Sequence, residues 1–254
     1  CAAAAKTLEK IAESPRAESV LWANATLALG ELKILSGDLH AAATLFESLS
    51  PHHAQRRQLH QGQARVSFLQ GRFADARHAL TRVLTALSEE TQNEGETPLN
   101  ADDRKTLTTF ALVDRSRAYL AEGGHVEQAL RDAKAAAEGG GWRAAACLGA
   151  ALIANGELFA GERAYADAIA GNPEDVGPYL ARAEALLGVG GSRVLARASK
   201  DVDAALRIDP GSPHAMILRG EVAERELDTE DAFALGQAVV EAAGGAGNLE
   251  FDLE

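Results

Sequence analysis

Residues 142–173 read Trp142-Arg-Ala-Ala-Ala-Cys-Leu-Gly-Ala-Ala-Leu-Ile-Ala-Asn-Gly-Glu-Leu-Phe-Ala-Gly-Glu-Arg-Ala-Tyr-Ala-Asp-Ala-Ile-Ala-Gly-Asn-Pro173. Alanine and leucine, which favour helix, dominate both halves of this stretch. Gly156 separates the halves, and a glycine there permits the positive φ that ends a helix. Gly149 lies in the first half, where the absence of a side chain lets a second helix approach closely. The stretch therefore predicts two antiparallel helices joined by a short turn.

The same pattern recurs along the chain. Gly37 and Gly71 lie 34 residues apart, and each is followed by an apolar residue two positions on and an alanine five positions on. Gly124 and Gly156 repeat the pattern at a spacing of 32 residues. A fixed period of this length is typical of helical hairpins that stack on one another and bury a continuous core.

The repeat resembles the tetratricopeptide repeat (TPR), and the resemblance covers nearly the whole chain. It implies an all-α, right-handed solenoid of stacked antiparallel helix hairpins, with about twelve or thirteen helices. We predict a single domain over residues 1–243, with repeats near 16–50, 52–88, 103–137, 142–173, 176–210 and 213–243, an acidic insertion at 89–102 and a tail at 244–254. The predicted helices lie near 2–13, 16–36, 39–49, 52–70, 72–88, 103–122, 125–137, 142–155, 158–170, 176–188, 192–207, 213–226 and 229–242.

Small and large residues alternate in their predicted roles within this repeat. Small residues permit close contact between helices, and large ones fill the gaps between hairpins. Ser14-Pro15 and Ser50-Pro51 predict helix starts, with serine as N-cap and proline as first helical residue. The small contact positions are Gly30, Ala64, Gly149, Ala183 and Gly220, and the gap-filling positions are Phe46, Leu80 and Tyr165.

The composition excludes two classes of protein. The net charge is -12, whereas a nucleic-acid-binding surface needs a basic patch that neutralises phosphates. No apolar run of about 18 residues or more is present, so no transmembrane helix is predicted. Aromatic residues make up 5% of the chain, which favours closely packed helices over a β-sandwich or barrel.

The sequence offers no catalytic, metal-binding or cofactor-binding motif. His52, His53 and His60 lack the spacing and the carboxylates of a metal site on a helix. The glycines at 139–141 lack the lysine and Ser/Thr that follow a phosphate-binding loop. We therefore predict that the protein is not an enzyme and binds no metal or cofactor.

The two cysteines carry different predictions. Cys147 lies in an alanine-rich helix, where we expect a small buried apolar residue. Cys1 has the position of the cysteine that cleavage of a bacterial lipoprotein precursor leaves, and we predict that it is lipidated. The alternative is that the cysteine opens the sequence by coincidence.

The resemblance to the tetratricopeptide family assigns a concave binding groove to the first helix of each repeat. Arg65, Arg117 and Arg143 belong to successive central repeats, so we predict a positive centre that binds an acidic or carboxyl-terminal segment of a partner. The alternative is that these arginines pair with helix carboxylates such as Asp114 or Glu162 and bind nothing. The groove positions are Asn24, Glu31, Gln58, Gln61, Arg65, Arg117, Arg143, Glu184, Glu221 and Glu224.

A second predicted surface is the tail. Residues 248–254 alternate apolar and acidic side chains, with Leu249, Phe251 and Leu253 as the apolar set. This period of two is typical of a strand. The tail is predicted to dock by adding a strand to a partner's sheet edge, or else to fray or fold back on the last helix.

These features together predict a non-catalytic scaffold that binds other proteins. The resemblance further suggests an envelope-associated bacterial lipoprotein, held at the periplasmic face of the outer membrane, that assembles or positions a multiprotein machine. The alternative is a regulatory repeat region of a larger cytoplasmic signalling protein. Membrane contact is expected only through the lipid at Cys1.

Overall fold

The computed structural model describes residues 19–53, 57–89 and 99–226, together with residues 6, 8 and 10. Every regular element in this part of the chain is an α-helix. The helices are α1 (Val20–Leu35), α2 (Leu39–His53), α3 (Arg57–Leu69), α4 (Phe73–Ser88), α5 (Ala101–Glu122), α6 (Val126–Gly139), α7 (Trp142–Ala154), α8 (Leu158–Gly171), α9 (Val176–Val189), α10 (Ser192–Ile208) and the helical residues 213–226, here α11.

The helices stack in chain order. Each odd-numbered helix from α1 to α9 forms a hairpin with the helix that follows it, and each hairpin packs on the next. First helices of neighbouring hairpins also contact one another, as in the pairs α1 and α3, α5 and α7, and α7 and α9. No comparable contact joins second helices within the described ranges. The first helices therefore lie on the inner side of the curved stack, and the predicted all-α solenoid is confirmed.

Three turns use glycine in the same way. Gly37, Gly71 and Gly156 have φ values of 81°, 73° and 84°. In the first turn the Gly37 amide donates to the carbonyl of Ile34 at 3.0 Å and the Asp38 amide donates to that of Lys33 at 2.9 Å. The other two turns repeat both bonds, which together define a Schellman motif. The predicted role of these glycines is confirmed.

Glycines inside the helices make room for aromatic rings. Phe46 is 1% exposed, and a Cβ atom placed at Gly30 or Gly62 would lie 2.5 or 2.4 Å from its ring. A Cβ atom at Gly149 would lie 2.6 Å from the ring of Tyr165. The predicted pairing of small residues with large gap-filling ones is confirmed at both places.

Several helix boundaries differ from the prediction. The boundary at Ser50-Pro51 is wrong, because α2 continues through Pro51 to His53; proline removes one N–H bond, but its fixed φ is close to the helical value. Helix α1 begins at Val20, since the Ser19 hydroxyl caps it by accepting from the Trp22 amide at 3.1 Å.

Other predicted features fall partly or wholly outside the described residues. Residues 6, 8 and 10 are helical, but the rest of predicted helix 2–13, the turn at Ser14-Pro15, helix 229–242 and tail 244–254 are not described. No described atom lies within 4 Å of a Cβ atom built at Gly220, so a close contact there is not observed. Among the described helices, none combines the length and the hydrophobicity needed to cross a membrane.

Candidate protein-binding groove

All ten predicted groove residues lie on the inner, first helices of the hairpins. Most are exposed, while Glu31, Gln58 and Gln61 are partly buried. Asn24 and Glu31 lie on α1, Gln58, Gln61 and Arg65 on α3, Arg117 on α5, Arg143 on α7, Glu184 on α9, and Glu221 and Glu224 on α11.

A cavity brings four of these residues together. Helices α3 and α5 are not in the close contact that joins the other neighbouring first helices of the described hairpins. A space of about 380 Å³ opens between them. Glu31, Gln61, Arg65 and Arg117 line it. We call this space the central cavity.

The floor of the central cavity is apolar. Phe68, Leu69, Leu80 and Phe110 line it, and Leu69 and Phe110 remain 53% and 44% exposed. The Arg117 guanidinium carbon lies 5.4 Å from the centre of the Phe68 ring, a cation–π distance that orients the guanidinium over the floor. The cavity therefore offers an uncovered apolar surface beside positive charge.

The central arginines have carboxylate neighbours, as the alternative prediction held for two of them. Arg65 Nη1 lies 3.0 Å from Glu31 Oε2, and Arg117 Nη1 lies 3.9 Å from Asp114 Oδ1. The two arginine side chains are 51% and 60% exposed, so water competes with both ion pairs and each contributes little to stability. Both guanidinium groups keep donors that a ligand can reach.

The third central arginine has no ion pair with the carboxylate named for it. Arg143 lies with its guanidinium carbon 5.4 Å from the ring of Trp142. Glu162, which the sequence offered as a partner for the groove arginines, instead contacts Arg197 on α10. The pairing predicted with Glu162 is therefore wrong.

Asp114 marks the point on which the three arginines converge. Its side chain is 58% exposed to the groove, yet the surrounding concave wall displaces bulk solvent, and this desolvation raises its pKa. The charges of Arg117, Arg143 and Arg65 act in the opposite direction. A single carboxylate thus senses guanidinium groups from α3, α5 and α7.

The charge along the groove follows the prediction except at one residue. Glu184, Glu221 and Glu224 give the α9–α11 end an acidic surface, where His214 Nε2 lies 2.7 Å from Glu184 Oε1. Glu31 was assigned to the opposite acidic end, but it lies in the central cavity with Arg65. That placement is wrong because α1 and α3 are in contact.

Sequence reasoning missed the polar contacts that fix α5 from behind the groove. Arg115 donates to both oxygens of Asp132 on α6, at 2.7 and 2.8 Å, and to the Thr81 hydroxyl on α4 at 3.1 Å. Arg77 on α4 pairs with Glu122 of α5. These contacts lie far apart in sequence, and only the pairing of helices brings them together.

Sequence reasoning also missed the floor residues. Phe68 follows Arg65 by three positions and Phe110 precedes Asp114 by four, so each lies one helical turn from a charged residue of the cavity. Such spacings place side chains on one face of a helix. A search for apolar residues on the groove face of each first helix could have found both.

The remaining candidate chemistry is limited. In the part of the chain that the structure describes, no three His, Cys, Asp or Glu side chains are grouped to hold a metal ion. The Cys147 thiol donates to the Val113 carbonyl at 3.8 Å, and burial raises its pKa, which makes the thiolate unfavourable. Cys1 and the tail residues Leu249, Phe251 and Leu253 lie outside the described residues, so their roles stay predictions.

Comparisons with known proteins place the fold. No family model matches the sequence, and a search of curated proteins finds no significant match. Among solved structures, TTC0263, a thermophilic TPR protein of Thermus thermophilus, is similar with a TM-score of 0.60 and 22% identity over 81% of this chain and 99% of that one.

Two further solved structures agree. YrrB, described as a TPR protein with an unusual peptide-binding site, gives a TM-score of 0.52 and 14% identity over 85% of this chain and 99% of its own. The assembly chaperone of RpL4 (Acl4) gives 0.55 and 15% identity over 91% of both chains. The chain is therefore an all-α solenoid of the tetratricopeptide-repeat fold.

Proposed function

We propose that this chain is a non-catalytic scaffold that binds other proteins, and that its groove receives an extended segment bearing acidic and apolar side chains. The observation that carries the proposal is the central cavity. Its floor of Phe68, Leu69 and Phe110 lies next to the guanidinium groups of Arg65 and Arg117. Apolar pockets with a few convergent polar groups are the usual form of a binding site.

The arrangement suits a carboxylate ligand with an apolar neighbour. Arginine presents donors in a planar fork that matches a carboxylate. An incoming carboxylate would take donors that Glu31 and Asp114 now share with water. A hydrogen bond to a charged group contributes about 1.5–3 kcal/mol, and the desolvated floor would add the burial of one apolar side chain. The exposed fractions of Leu69 and Phe110, 53% and 44%, provide that apolar surface.

Structural neighbours support this role. YrrB is described as having a peptide-binding site, and Acl4 as an assembly chaperone. Both descriptions concern proteins that hold other polypeptides. The proposal carries that general role to this chain and rests its specific ligand chemistry on the central cavity.

The proposed setting is the bacterial envelope, with lipid on Cys1 and the solenoid positioning parts of a larger assembly. The alternative setting is the cytoplasm, as a regulatory region of a signalling protein. Intact mass of the protein isolated from its native host separates them. Added mass of fatty chains on Cys1 supports the envelope setting, and an unmodified or internal Cys1 supports the alternative.

A display library of random peptides tests the binding role. We expect the wild-type chain to enrich peptides in which acidic residues flank apolar ones. The triple variant Arg65→Glu, Arg117→Glu, Arg143→Glu should lose this enrichment while keeping its helical circular dichroism spectrum. Enrichment that survives the triple variant would refute the groove as the binding site.

The chain offers a matched control for this experiment. Arg131, Arg163 and Arg193 are exposed residues on the second helices α6, α8 and α10. Reversing these three charges changes the net charge by the same amount on the outer face. We expect this control to enrich the same peptides as the wild type.

A further inference from the structure

Residues 248–254, Asn-Leu-Glu-Phe-Asp-Leu-Glu, have the chemistry that the central cavity requires. In an extended backbone, successive side chains point to opposite faces. Leu249, Phe251 and Leu253 would share one face of such a segment, and three carboxylates would share the other. One segment thus carries both an apolar face and a row of negative charges.

The charge along the groove selects where this segment can bind. Glu184, Glu221 and Glu224 make the α9–α11 end acidic and would repel it. Arg65, Arg117 and Arg143 all act on Asp114 at the centre. Since like charges oppose association and unlike charges favour it, the acidic segment fits the centre of the groove and not its end.

We propose that residues 248–254 bind in the central cavity of the same molecule and compete there with partner segments. This inference rests on the proposed function of the groove. Phe251 would contact the floor at Phe68 and Phe110, while neighbouring carboxylates accept hydrogen bonds from Arg65 and Arg117. The chain would then carry a built-in competitor for its own binding site.

The connecting chain is long enough. Residues 227–247 separate the described part of α11 from the segment, and an extended chain of this length spans about 70 Å. With the predicted helix at 229–242 formed, the reach falls to about 45 Å. Four steps between first helices, at about 10 Å each, separate α11 from α3. An intramolecular contact is therefore geometrically possible in both cases.

A labelled peptide of residues 248–254 tests the proposal by fluorescence anisotropy. It is titrated with the full chain and with a variant that ends at Gly247. We expect the truncated variant to bind the peptide about tenfold more tightly, because an intramolecular competitor at high effective concentration has been removed. Arg65→Glu with Arg117→Glu in the truncated variant should abolish binding, and a peptide with the same residues in the order Asn-Leu-Phe-Leu-Glu-Asp-Glu should bind more weakly.

A charge swap sharpens the test. A peptide with lysine at the three acidic positions should bind the Arg65→Glu, Arg117→Glu variant better than it binds the wild-type chain. Restored binding of this kind requires direct contact, which a variant with general structural damage would not show.

Three results would overturn the inference. One is equal affinity of the peptide for the full and truncated chains, and a second is binding that ignores the two arginine substitutions. A third is a dimer, detected by light scattering, that disappears on truncation, since it places the segment in a second molecule. If the peptide fails while library-selected peptides still bind the groove, the competitor is wrong and the binding role stands; if both fail, the binding role is wrong as well.

Discussion

Helix α3 has a closed junction on one side and an open junction on the other. Towards α1, the ring of Phe46 fills the gap and meets Gly30 and Gly62, where no side chain could fit. Towards α5, the residue 34 positions later is Leu80, and the central cavity remains beside it. The difference shows that an aromatic ring matched to glycines closes a junction, whereas a smaller aliphatic side chain leaves space for a ligand.

The largest expected effect contrasts one phenylalanine from each junction. Phe46→Ala should lower the free energy of unfolding by about 4 kcal/mol, because it empties a fully buried site. Phe110→Ala should lower it by less than about 1 kcal/mol, since this ring is already 44% exposed and little burial is lost. Urea denaturation followed by circular dichroism measures both. Similar losses in the two variants would remove the distinction between the junctions.

The open junction also depends on contacts behind it. Asp132→Ala leaves Arg115 without its carboxylate at a site where the two side chains are 19% and 8% exposed, and should cost about 3 kcal/mol. Replacing both residues, Arg115→Met with Asp132→Leu, should recover most of that loss because no buried charge remains unpaired. Chemical denaturation of the single and double variants checks this. A double variant as unstable as the single one would contradict the explanation.

The closed type of junction recurs at α7, where Gly149 faces Tyr165. Gly149→Ala should cost about 2 kcal/mol through overpacking, since the new Cβ would lie 2.6 Å from the ring. Gly188→Ala is the matched control, because a Cβ there meets nothing within 4 Å. The control should be neutral or gain up to about 1 kcal/mol from helix propensity. Thermal unfolding of both variants tests the pair, and an equal response would show that ring contact is not the cause.

The smallest change in stability is expected from converting the open junction towards the closed type. Leu80→Phe should fill part of the central cavity and change the free energy of unfolding by about 1 kcal/mol or less, because free volume is available. The same variant should bind acidic peptides more weakly. Calorimetric titration with a library-selected peptide measures the affinity, and undiminished binding would show that the ligand does not enter the cavity.

The sequence predicted the parts of the fold that depend on local pattern. Gly37, Gly71 and Gly156 repeat at nearly one period because each turn needs positive φ, so the hairpins could be predicted from spacing alone. The helix face of Arg65 and Arg117 followed from the same register. Local signals thus fixed the repeat and the inner face.

The rest depends on distances between helices. The separation of α3 from α5, the exposure of Phe110 and the bond from Arg115 to Thr81 all arise from how the hairpins settle against one another. No short motif encodes such an arrangement. The missed boundary at Pro51 has a different origin, since proline weakens a helix without always ending it.

Hydrogen–deuterium exchange of the full chain, with and without a saturating library-selected acidic peptide, tests the central claim most directly. Ligand contact should slow exchange in residues 57–69 and 101–122, the two helices that border the central cavity. Exchange in α8 and α10, on the outer side, should stay unchanged. Protection confined to the second helices, with none in α3 and α5, would contradict the account.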